Sequence, residues 1–415
     1  MFRFRSQSIL IAVAGIYGIS ALRPHASAQE LKPLQVVSEQ RVRTGLEVYE
    51  EMSSEPLAGR RIGVITNQTG ADAFGHRTID IFAGRSDVKL IAIFSPEHGI
   101  EGAREGSVEN ATDRPTGVPI YSLYGKTRRP TDAMLKGIDT LVFDIQDAGV
   151  RFYTYVTTMA YCMEEAAKHH IEFVVFDRPD PLGGDVIEGP MLDTDRTSFT
   201  GYFPMPVRYG MTLGELAQMF NEENHIGVKL RVFPLRGWRR DETYGQTGLK
   251  WIAPSPNLRT ASEAFTYPGL EILQAGDVSV GRGTETPFEV VGAPWIHADE
   301  FAKELAGRAI PGVRVEAAKF TPRDGPYAGQ VCNGVRIAVV DTTEFRSMRM
   351  GLGLADVLRR LYPNNFDVDK INALLGSQST IDRLKRGDAP ADIVAGWSGD
   401  LENFRKMREK YLLYH

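Results

Sequence analysis

Four short apolar runs in the first half of the chain constrain its fold more than any other feature. Val, Ile and Phe dominate them, which is typical of strands buried on both faces of a parallel sheet. The runs are RIGVIT (61–66), VKLIAIF (88–94), TLVFDI (140–145) and IEFVVFD (171–177). Helical patterns lie between or after them, and the clearest extends from Tyr153 to His170 with one apolar face. This alternation predicts a doubly wound α/β domain.

A second α/β series follows a turn-rich stretch, APSPN (253–257). It contains a predicted strand at 334–341 and predicted helices at 298–308 and 350–361. We therefore predict a first domain at 40–250 and a second, smaller α/β domain at 251–415.

The N-terminus has the pattern of an export signal. Arg3 and Arg5 precede an apolar stretch from Ile9 to Leu22, and the small residues ASA (26–28) precede Gln29. The stretch is shorter than the roughly 18 apolar residues that a membrane span needs. We predict a signal peptide at 1–28, a mature chain that begins at Gln29 without membrane insertion, and a periplasmic or secreted location.

Charge and cysteine content argue against several functional classes. The 48 Lys and Arg residues are scattered and the net charge is −5, so we do not expect a nucleic acid partner. Cys162 and Cys332 lie far apart and lack the spacing of a zinc site or a disulfide scaffold, so we interpret them as separate core residues. We expect neither a metal site nor a cofactor.

A cluster of polar residues follows each of the four apolar runs. In parallel sheets, ligands bind outside the carboxyl ends of the strands, so these clusters are expected to meet around one pocket. A simpler alternative for single residues is that an Asp or Asn after a strand caps the next helix. The clusters contain Asn67 and Gln68, then Glu97 and His98, then Asp144 and Asp147, and finally Asp177 and Arg178.

The second cluster lies in the stretch FSPEHGIEG (94–102) and is the strongest candidate for chemistry. Its Gly and Pro residues are consistent with an ordinary turn. Glu97 and His98, however, do not favour tight turns, and both side chains serve acid–base chemistry near neutral pH. We interpret this pair as functional.

The third cluster places two acids next to a strand end. Asp144 and Asp147 would repel each other unless one is protonated, paired with Arg151, or used in the reaction. Tyr153 and Tyr155 follow, and Tyr209 precedes another helix. Tyrosines beside acids and amides suit a sugar, which has apolar faces and a rim of hydroxyl groups, although core packing explains each one equally well.

A chain of motifs resembles the exo-acting β-N-acetylmuramidases of the NamZ family, glycoside hydrolase family 171. The resemblance runs from about residue 43 to the C-terminus. It implies a Rossmann-like first domain, a smaller α/β domain that closes the cleft, and removal of terminal N-acetylmuramic acid (MurNAc) from the non-reducing end of peptidoglycan fragments. The conserved catalytic glutamate of the family falls on Glu97. The motifs are GVITNQTG, FSPEHGIEG, VFDIQDAGVRFYTY, DRPDPLGG, EGPML, RYGMTLGELA, SPNL, YPG and SVGRGTETPFEVVGAPW.

Glycoside hydrolysis needs one group to protonate the leaving oxygen and a second to stabilise or trap the cationic sugar. We predict that Glu97 is the acid and that His98 orients it or binds substrate. Asp144 or Asp147 is the predicted second carboxylate, unless the acetamido group of the substrate takes that role.

Recognition of the lactyl carboxylate of MurNAc calls for a guanidinium group, which binds carboxylates through two hydrogen bonds. The candidates are Arg282, Arg151 and Arg178, and we favour Arg282 because glycines flank it. The alternative is that Arg282 only pairs with Glu285. Asn67, Gln68, Tyr153, Tyr155 and Tyr209 complete the predicted binding residues, with MurNAc-GlcNAc saccharides from peptidoglycan as the expected partners.

Two other functional classes remain possible from the residues alone. A metal-dependent hydrolase would use Glu97, His98 and Asp144 or Asp147 as ligands. A non-catalytic periplasmic sugar-binding protein would also have an export signal and two α/β lobes, but its cleft would hardly need Glu97 and His98 together.

Overall fold

A computed structural model gives the fold of residues 41–52, 55–308 and 310–415. The predicted signal peptide at 1–28 lies outside these residues, so export stays a prediction. Within the described part of the chain, no helix is both long and apolar enough to cross a membrane.

The described residues form twelve strands and twelve α-helices. The strands are β1 (Arg61–Thr66), β2 (Lys89–Ser95), β3 (Ala111–Thr112), β4 (Pro119–Ser122), β5 (Thr140–Asp144), β6 (Glu172–Phe176), β7 (Glu188–Met191), β8 (Pro206–Arg208), β9 (Leu230–Phe233), β10 (Val290–Ala293), β11 (Val313–Phe320) and β12 (Cys332–Val339). The helices are α1 (Gly45–Glu51), α2 (Thr78–Ala83), α3 (Asp132–Leu135), α4 (Thr154–Lys168), α5 (Leu213–Glu223), α6 (Ala261–Gln274), α7 (Ala298–Ala306), α8 (Ser347–Leu361), α9 (Asn372–Leu375), α10 (Gln378–Arg386), α11 (Pro390–Ala395) and α12 (Ser398–Arg408).

Strands from the first half of the chain build a seven-stranded sheet in the order β3-β4-β2-β1-β5-β6-β9. All neighbours are parallel except the short edge strand β3, which runs antiparallel to β4. Counted along the chain, the parallel strands lie in the order 3-2-1-4-5-6 of the Rossmann fold. The strand order reverses between β1 and β5, and ligands of such folds bind outside the strand ends at this point. The predicted Rossmann-like sheet is confirmed.

Both faces of this sheet are buried, and alternate side chains of a strand enter different cores. In β6, Phe173 and Val175 pack in the core shared with α4 and α5, whereas Val174 and Phe176 pack in the core shared with α1 and α2. This burial on two sides explains why the four predicted strands are continuously apolar. The sequence patterns missed β4 and β9, which are four residues long and only partly buried.

The second half contains a three-stranded antiparallel sheet in the order β10-β12-β11. The predicted strand at 334–341 corresponds to β12, and the predicted helices correspond to α7 and α8. The smaller α/β domain is thus confirmed, although the position of its boundary stays a prediction, since all described residues belong to one compact unit. Cys162 and Cys332 are both free and buried, as expected.

Helices α6 and α8 approach each other unusually closely. A Cβ atom added to Gly269 of α6 would lie 2.1 Å from the carbonyl oxygen of Ser347, and one added to Gly351 of α8 would lie 2.4 Å from the carbonyl oxygen of Gly269. Only glycine fits at these two positions. Helix α6 is therefore held firmly against α8, and its other face is available to line a cleft.

Candidate active site

A cavity of about 350 Å³ lies beyond the carboxyl end of β2 and is lined by both halves of the chain. The first half contributes Glu97, His98, Glu105, Tyr124, Arg128, Phe152, Tyr153, Thr154 and residues 198–200, and the second half contributes Ser255, Asn257, Tyr267, Glu271, Arg282, Phe288 and Leu374. A larger open groove of about 820 Å³ lies beside α5 and edge strand β9, but none of the predicted site residues lines it.

Glu97 is half-buried in the cavity, two residues after β2. The Thr154 hydroxyl, in the first turn of α4, donates a hydrogen bond of 2.5 Å to Oε2 of Glu97. Burial and the nearby Glu97 carboxylate together raise the pKa of Tyr124, another lining residue, to about 12. The Thr154 hydroxyl therefore holds the Glu97 carboxyl in one orientation.

His98 adopts the left-handed backbone conformation, with φ at 68°, and its side chain is buried. Residues other than glycine rarely adopt this conformation, and such strain is frequent at functional sites. Nδ1 of His98 lies 2.8 Å from the carbonyl oxygen of Arg104, so this nitrogen carries a proton. This contact leaves Nε2 as the nitrogen available to a ligand, and no residue in the described ranges donates a hydrogen bond to it.

An aromatic wall runs along the cavity. The ring of Tyr267 contacts those of Phe152, Tyr153 and Phe288 edge to face, with centroid distances of 5.6, 6.0 and 4.8 Å. All four side chains line the cavity. Aromatic faces of this kind stack on the apolar face of a sugar ring, while neighbouring polar groups bind its hydroxyls.

A partly buried ion pair between Arg282 and Glu271 also lines this cavity. Nη2 of Arg282 lies 2.7 Å from Oε1 of Glu271, and Nε of Arg282 donates to Gln274 at 2.9 Å. Burial raises the pKa of Glu271 despite the opposing effect of Arg282. Oε2 of Glu271 is buried and has no hydrogen-bond partner among the described residues. The alternative that Arg282 pairs with Glu285 is wrong, because Glu285 pairs with Arg259 at 3.2 Å.

Arg128 supplies a second guanidinium group at the cavity mouth. Its Cζ lies 4.2 Å from the ring centroid of Phe199 and 5.7 Å from that of Tyr124. Arg128 forms no ion pair with the residues that the structure describes, in contrast to Arg282. The site therefore contains one neutralised and one free guanidinium group.

Asp144 and Arg178, both predicted site residues, pair with each other away from this cavity. Arg178 donates to the two carboxylate oxygens of Asp144 at 2.6 and 3.1 Å, and Thr78 donates to the same carboxylate. Asp144 is fully buried. The alternative prediction, that one of the two acids pairs with Arg151, is wrong. Within the described residues, the Arg151 guanidinium donates only to backbone carbonyls, namely those of Pro190, Met205, Leu374 and Leu375.

Asp147 is also buried outside the lining of the cavity. Its Oδ2 accepts hydrogen bonds from the Tyr209 hydroxyl and from the backbone N–H of Gly149, the latter at 2.8 Å. Burial raises the pKa of Asp147 to about 6, although these two hydrogen bonds oppose the shift. Tyr209 is therefore the partner of an acid rather than part of the cavity surface.

The remaining predicted binding residues hold loops behind the cavity. Asn67 donates to the Tyr155 hydroxyl at 3.1 Å, and this hydroxyl donates to the carbonyl of Pro254 at 2.6 Å. Gln68 donates to the carbonyl of Ala253 at 2.7 Å. These contacts connect the loop after β1 to the turn-rich stretch before α6, so they position the cavity wall without lining it.

The structure thus brings four of the predicted residues into the cavity lining, namely Glu97, His98, Tyr153 and Arg282. Several other lining residues occur in motifs that had been recognised without being assigned a role: Thr154 in RFYTY, Ser255 and Asn257 in SPN, and Tyr267 in YPG. Glu271 lies one turn after Tyr267 on α6, so helical spacing places both side chains on the face of the helix that lines the cavity. Tyr124 and Arg128 lie in a turn whose sequence gives no signal of a site.

The predicted ligands of the metal-dependent alternative are not brought together. Glu97 and His98 line the cavity, whereas Asp144 is paired with Arg178 and Asp147 with Tyr209. Among the described residues, no group of three or more His, Cys, Asp or Glu side chains is arranged to hold a metal ion.

Comparison with known sequences gives matches along nearly the whole described chain. Residues 62–262 match the model of the N-terminal region of the exo-beta-N-acetylmuramidase NamZ, and residues 265–414 match the model of its C-terminal region. The peptidoglycan beta-N-acetylmuramidase NamZ of Bacillus subtilis (strain 168) is 40% identical over 394 residues, which cover 94% of this chain and 95% of that protein.

Two solved structures from Bacteroides fragilis NCTC 9343, both described as DUF1343 family proteins, have the same fold. One has a TM-score of 0.84 and 38% identity, and covers 90% of this chain and 99% of its own. The other has a TM-score of 0.75 and 31% identity, and covers 91% of this chain and 99% of its own.

Proposed function

Because this chain belongs to the exo-beta-N-acetylmuramidase NamZ family, we propose that the cavity containing Glu97 is its active site. The protein is a glycosidase, an exo-acting β-N-acetylmuramidase that processes peptidoglycan. The substrates that suit the cavity are MurNAc-GlcNAc saccharides with MurNAc at the non-reducing end. The observation that carries this proposal is the orientation of the Glu97 carboxyl by the Thr154 hydroxyl beside an aromatic wall.

Glu97 is proposed as the general acid. The hydrogen bond from Thr154 restricts its rotation, and a positioned acid transfers its proton to the leaving oxygen without first reorganising. The aromatic wall would hold the sugar ring beside this carboxyl. Proton transfer to the glycosidic oxygen then weakens the bond to C1, as required for cleavage of a glycoside.

His98 is proposed as a substrate-binding residue. Its Nδ1–H is committed to the carbonyl of Arg104, which leaves Nε2 as an acceptor for a sugar hydroxyl. Fixing the tautomer in this way is the usual role of a carbonyl behind a functional histidine.

Glu271 replaces Asp144 and Asp147 as our candidate for the second carboxylate. It lines the same cavity as Glu97, while the other two acids do not. Arg282 bonds to Oε1 of Glu271, and Oε2 is buried without a hydrogen-bond partner among the described residues, so the Glu271 charge would act on the cationic centre of the sugar electrostatically. The acetamido group of the substrate is the alternative, in which case Glu271 would orient that group.

The test of Glu97 uses two MurNAc glycosides that differ only in leaving group. Glu97→Gln keeps the shape of the side chain but removes the transferable proton, so kcat should fall by about 10²–10⁴-fold on a saccharide leaving group. The loss should be much smaller on an activated aryl glycoside, whose leaving oxygen needs no proton. Equal losses on the two substrates would contradict the assignment of Glu97 as the acid.

Glu271→Gln and a control complete this experiment. A group that stabilises the cationic sugar acts regardless of the leaving group, so Glu271→Gln should slow both substrates by a similar factor. Glu285→Gln is the matched control, because Glu285 is an exposed acid outside the cavity. Unchanged rates in Glu271→Gln would exclude both roles of Glu271 and leave the acetamido group to act without it.

A further inference from the structure

We propose that Arg128 binds the free carboxylate of the lactyl group and so distinguishes MurNAc from N-acetylglucosamine (GlcNAc). The inference rests on the proposed function, since it concerns the sugar that occupies the cavity beside Glu97. It assigns to an arginine at the cavity mouth the role that the sequence had suggested for Arg282.

The charge balance of the cavity favours Arg128 over Arg282. Arg282 already bonds to Glu271 at 2.7 Å, and its Nη1 lies 4.0 Å from Glu105. A ligand carboxylate at Arg282 would lie next to these two acids and would be repelled by them. Arg128 has no carboxylate partner within the described part of the chain, so its charge is available to a ligand.

The aromatic contacts of Arg128 hold its guanidinium in place. The group lies over the ring of Phe199 at 4.2 Å, which restricts a side chain that is otherwise exposed. Stacking uses the flat face of a guanidinium and leaves the N–H groups at its edge free. These N–H groups form a fork that matches a carboxylate.

The position of Arg128 relative to Glu97 suits muramic acid. Tyr124 lines the cavity together with both residues, and its ring centroid lies 5.7 Å from the Arg128 Cζ. In MurNAc the lactyl ether is on C3 and the bond to be cleaved is on C1 of the same ring. A sugar with C1 at Glu97 would therefore extend its lactyl group along Tyr124 towards Arg128.

The experiment compares aryl glycosides of MurNAc and GlcNAc, which differ only in the lactyl group. Arg128→Gln should raise KM for the muramyl substrate by about 10- to 100-fold, because a hydrogen-bonded charge is lost. The kcat should change little, since the lactyl group binds equally in the ground and transition states. Cleavage of the GlcNAc substrate should be unaffected.

A third substrate separates charge recognition from shape. This is the aryl muramyl glycoside with its lactyl carboxyl capped as a simple amide. The unmodified protein should bind the amide as weakly as Arg128→Gln binds the acid, and Arg128→Gln should show no further loss on the amide. Arg128→Lys should restore part of the affinity for the acid, because it restores the charge but not the fork.

Arg129→Gln is the matched control. Arg129 is the next residue along the chain, pairs with Glu164 at 2.5 Å and lies over the Tyr161 ring, but it does not line the cavity. Its replacement should leave the muramyl preference unchanged. Arg282→Gln should instead slow the cleavage of both the MurNAc and the GlcNAc glycoside, because it leaves Glu271 without its ion-pair partner.

If Arg128→Gln keeps the original preference for the MurNAc over the GlcNAc glycoside, or loses activity equally on both, the role of Arg128 is overturned. The muramidase assignment would stay in place. If only Arg282→Gln reduces the preference for the MurNAc glycoside, recognition of the lactyl carboxylate would be assigned to Arg282 again. Failure of the unmodified protein to release MurNAc from any of these substrates would instead contradict the proposed function itself.

Discussion

Three buried carboxyl groups set a pH dependence of stability at the residue scale. Burial raises the pKa of Asp147 to about 6, and that of Asp177 and Asp180 to about 7. The folded state therefore binds protons more tightly than the unfolded state at these groups. Their contribution to stability is fully present at low pH and is lost as the pH rises through the folded pKa values.

Asp147→Asn tests this at a single residue. As the pH rises from about 4 to 6, the free energy of unfolding of the unmodified protein should fall by about 2–3 kcal/mol, because the contribution of protonated Asp147 is lost. The amide stays neutral, so the variant should show a flatter curve in that range, measured by urea unfolding at each pH. Asp195→Asn, at an exposed acid, is the control and should not flatten the curve. An unchanged slope in Asp147→Asn would show that this carboxyl is not the source.

The partners of the charged residues were the part of the site that the sequence could not predict. Asp144 lies seven positions before its predicted partner Arg151, yet it pairs with Arg178, 34 positions away. Arg282 pairs with Glu271 rather than with the nearer Glu285. Ion pairs form between whichever charged groups are buried together, and the patterns of single segments do not record which segments meet.

At the scale of elements, the contact between α6 and α8 determines where Tyr267 and Glu271 are placed. Gly351→Ala should reduce the free energy of unfolding by about 1–3 kcal/mol, because the added methyl would overlap the backbone of Gly269. It should also reduce activity by displacing α6 from the cavity. Thermal unfolding and turnover of an aryl muramyl glycoside would measure the two effects.

Gly353→Ala is the control within the same helix. A Cβ atom at Gly353 would meet only the Ile310 side chain at 3.6 Å, an ordinary contact. Alanine also favours a helix interior over glycine by about 0.5–1 kcal/mol, so this variant should be as stable as the original or more so. Equal destabilisation by the two substitutions would contradict the close-contact explanation.

At the scale of the whole molecule, we propose that the protein is exported and processed. The protein recovered from the periplasm or medium should begin at Gln29, because the ASA (26–28) pattern marks a cleavage site after Ala28. N-terminal sequencing would establish this. Replacing Ala26 and Ala28 with leucine should block processing, and an intact Met1 on exported protein without these changes would contradict the proposal.

The sequence by itself determined the framework of this protein. Continuous apolar runs gave the central strands β1, β2, β5 and β6, because burial on both faces of a sheet leaves its mark within each segment. The same local signals predicted a site at Glu97 and His98, whose residue types do not suit the turn that they occupy, and both residues line the cavity. Both inferences depend only on neighbouring residues.

Only the tertiary structure decided which side chains share the cavity. Thr154 reaches Glu97 across 57 positions, and α6 brings Tyr267 and Glu271 from the second half of the chain to the same space. Asp144 and Asp147 follow a strand end as expected, but desolvation and the nearest hydrogen-bond donors direct them to Arg178 and Tyr209 instead. The periodicity of a strand is a property of one segment, whereas the environment of a charge depends on every segment packed around it.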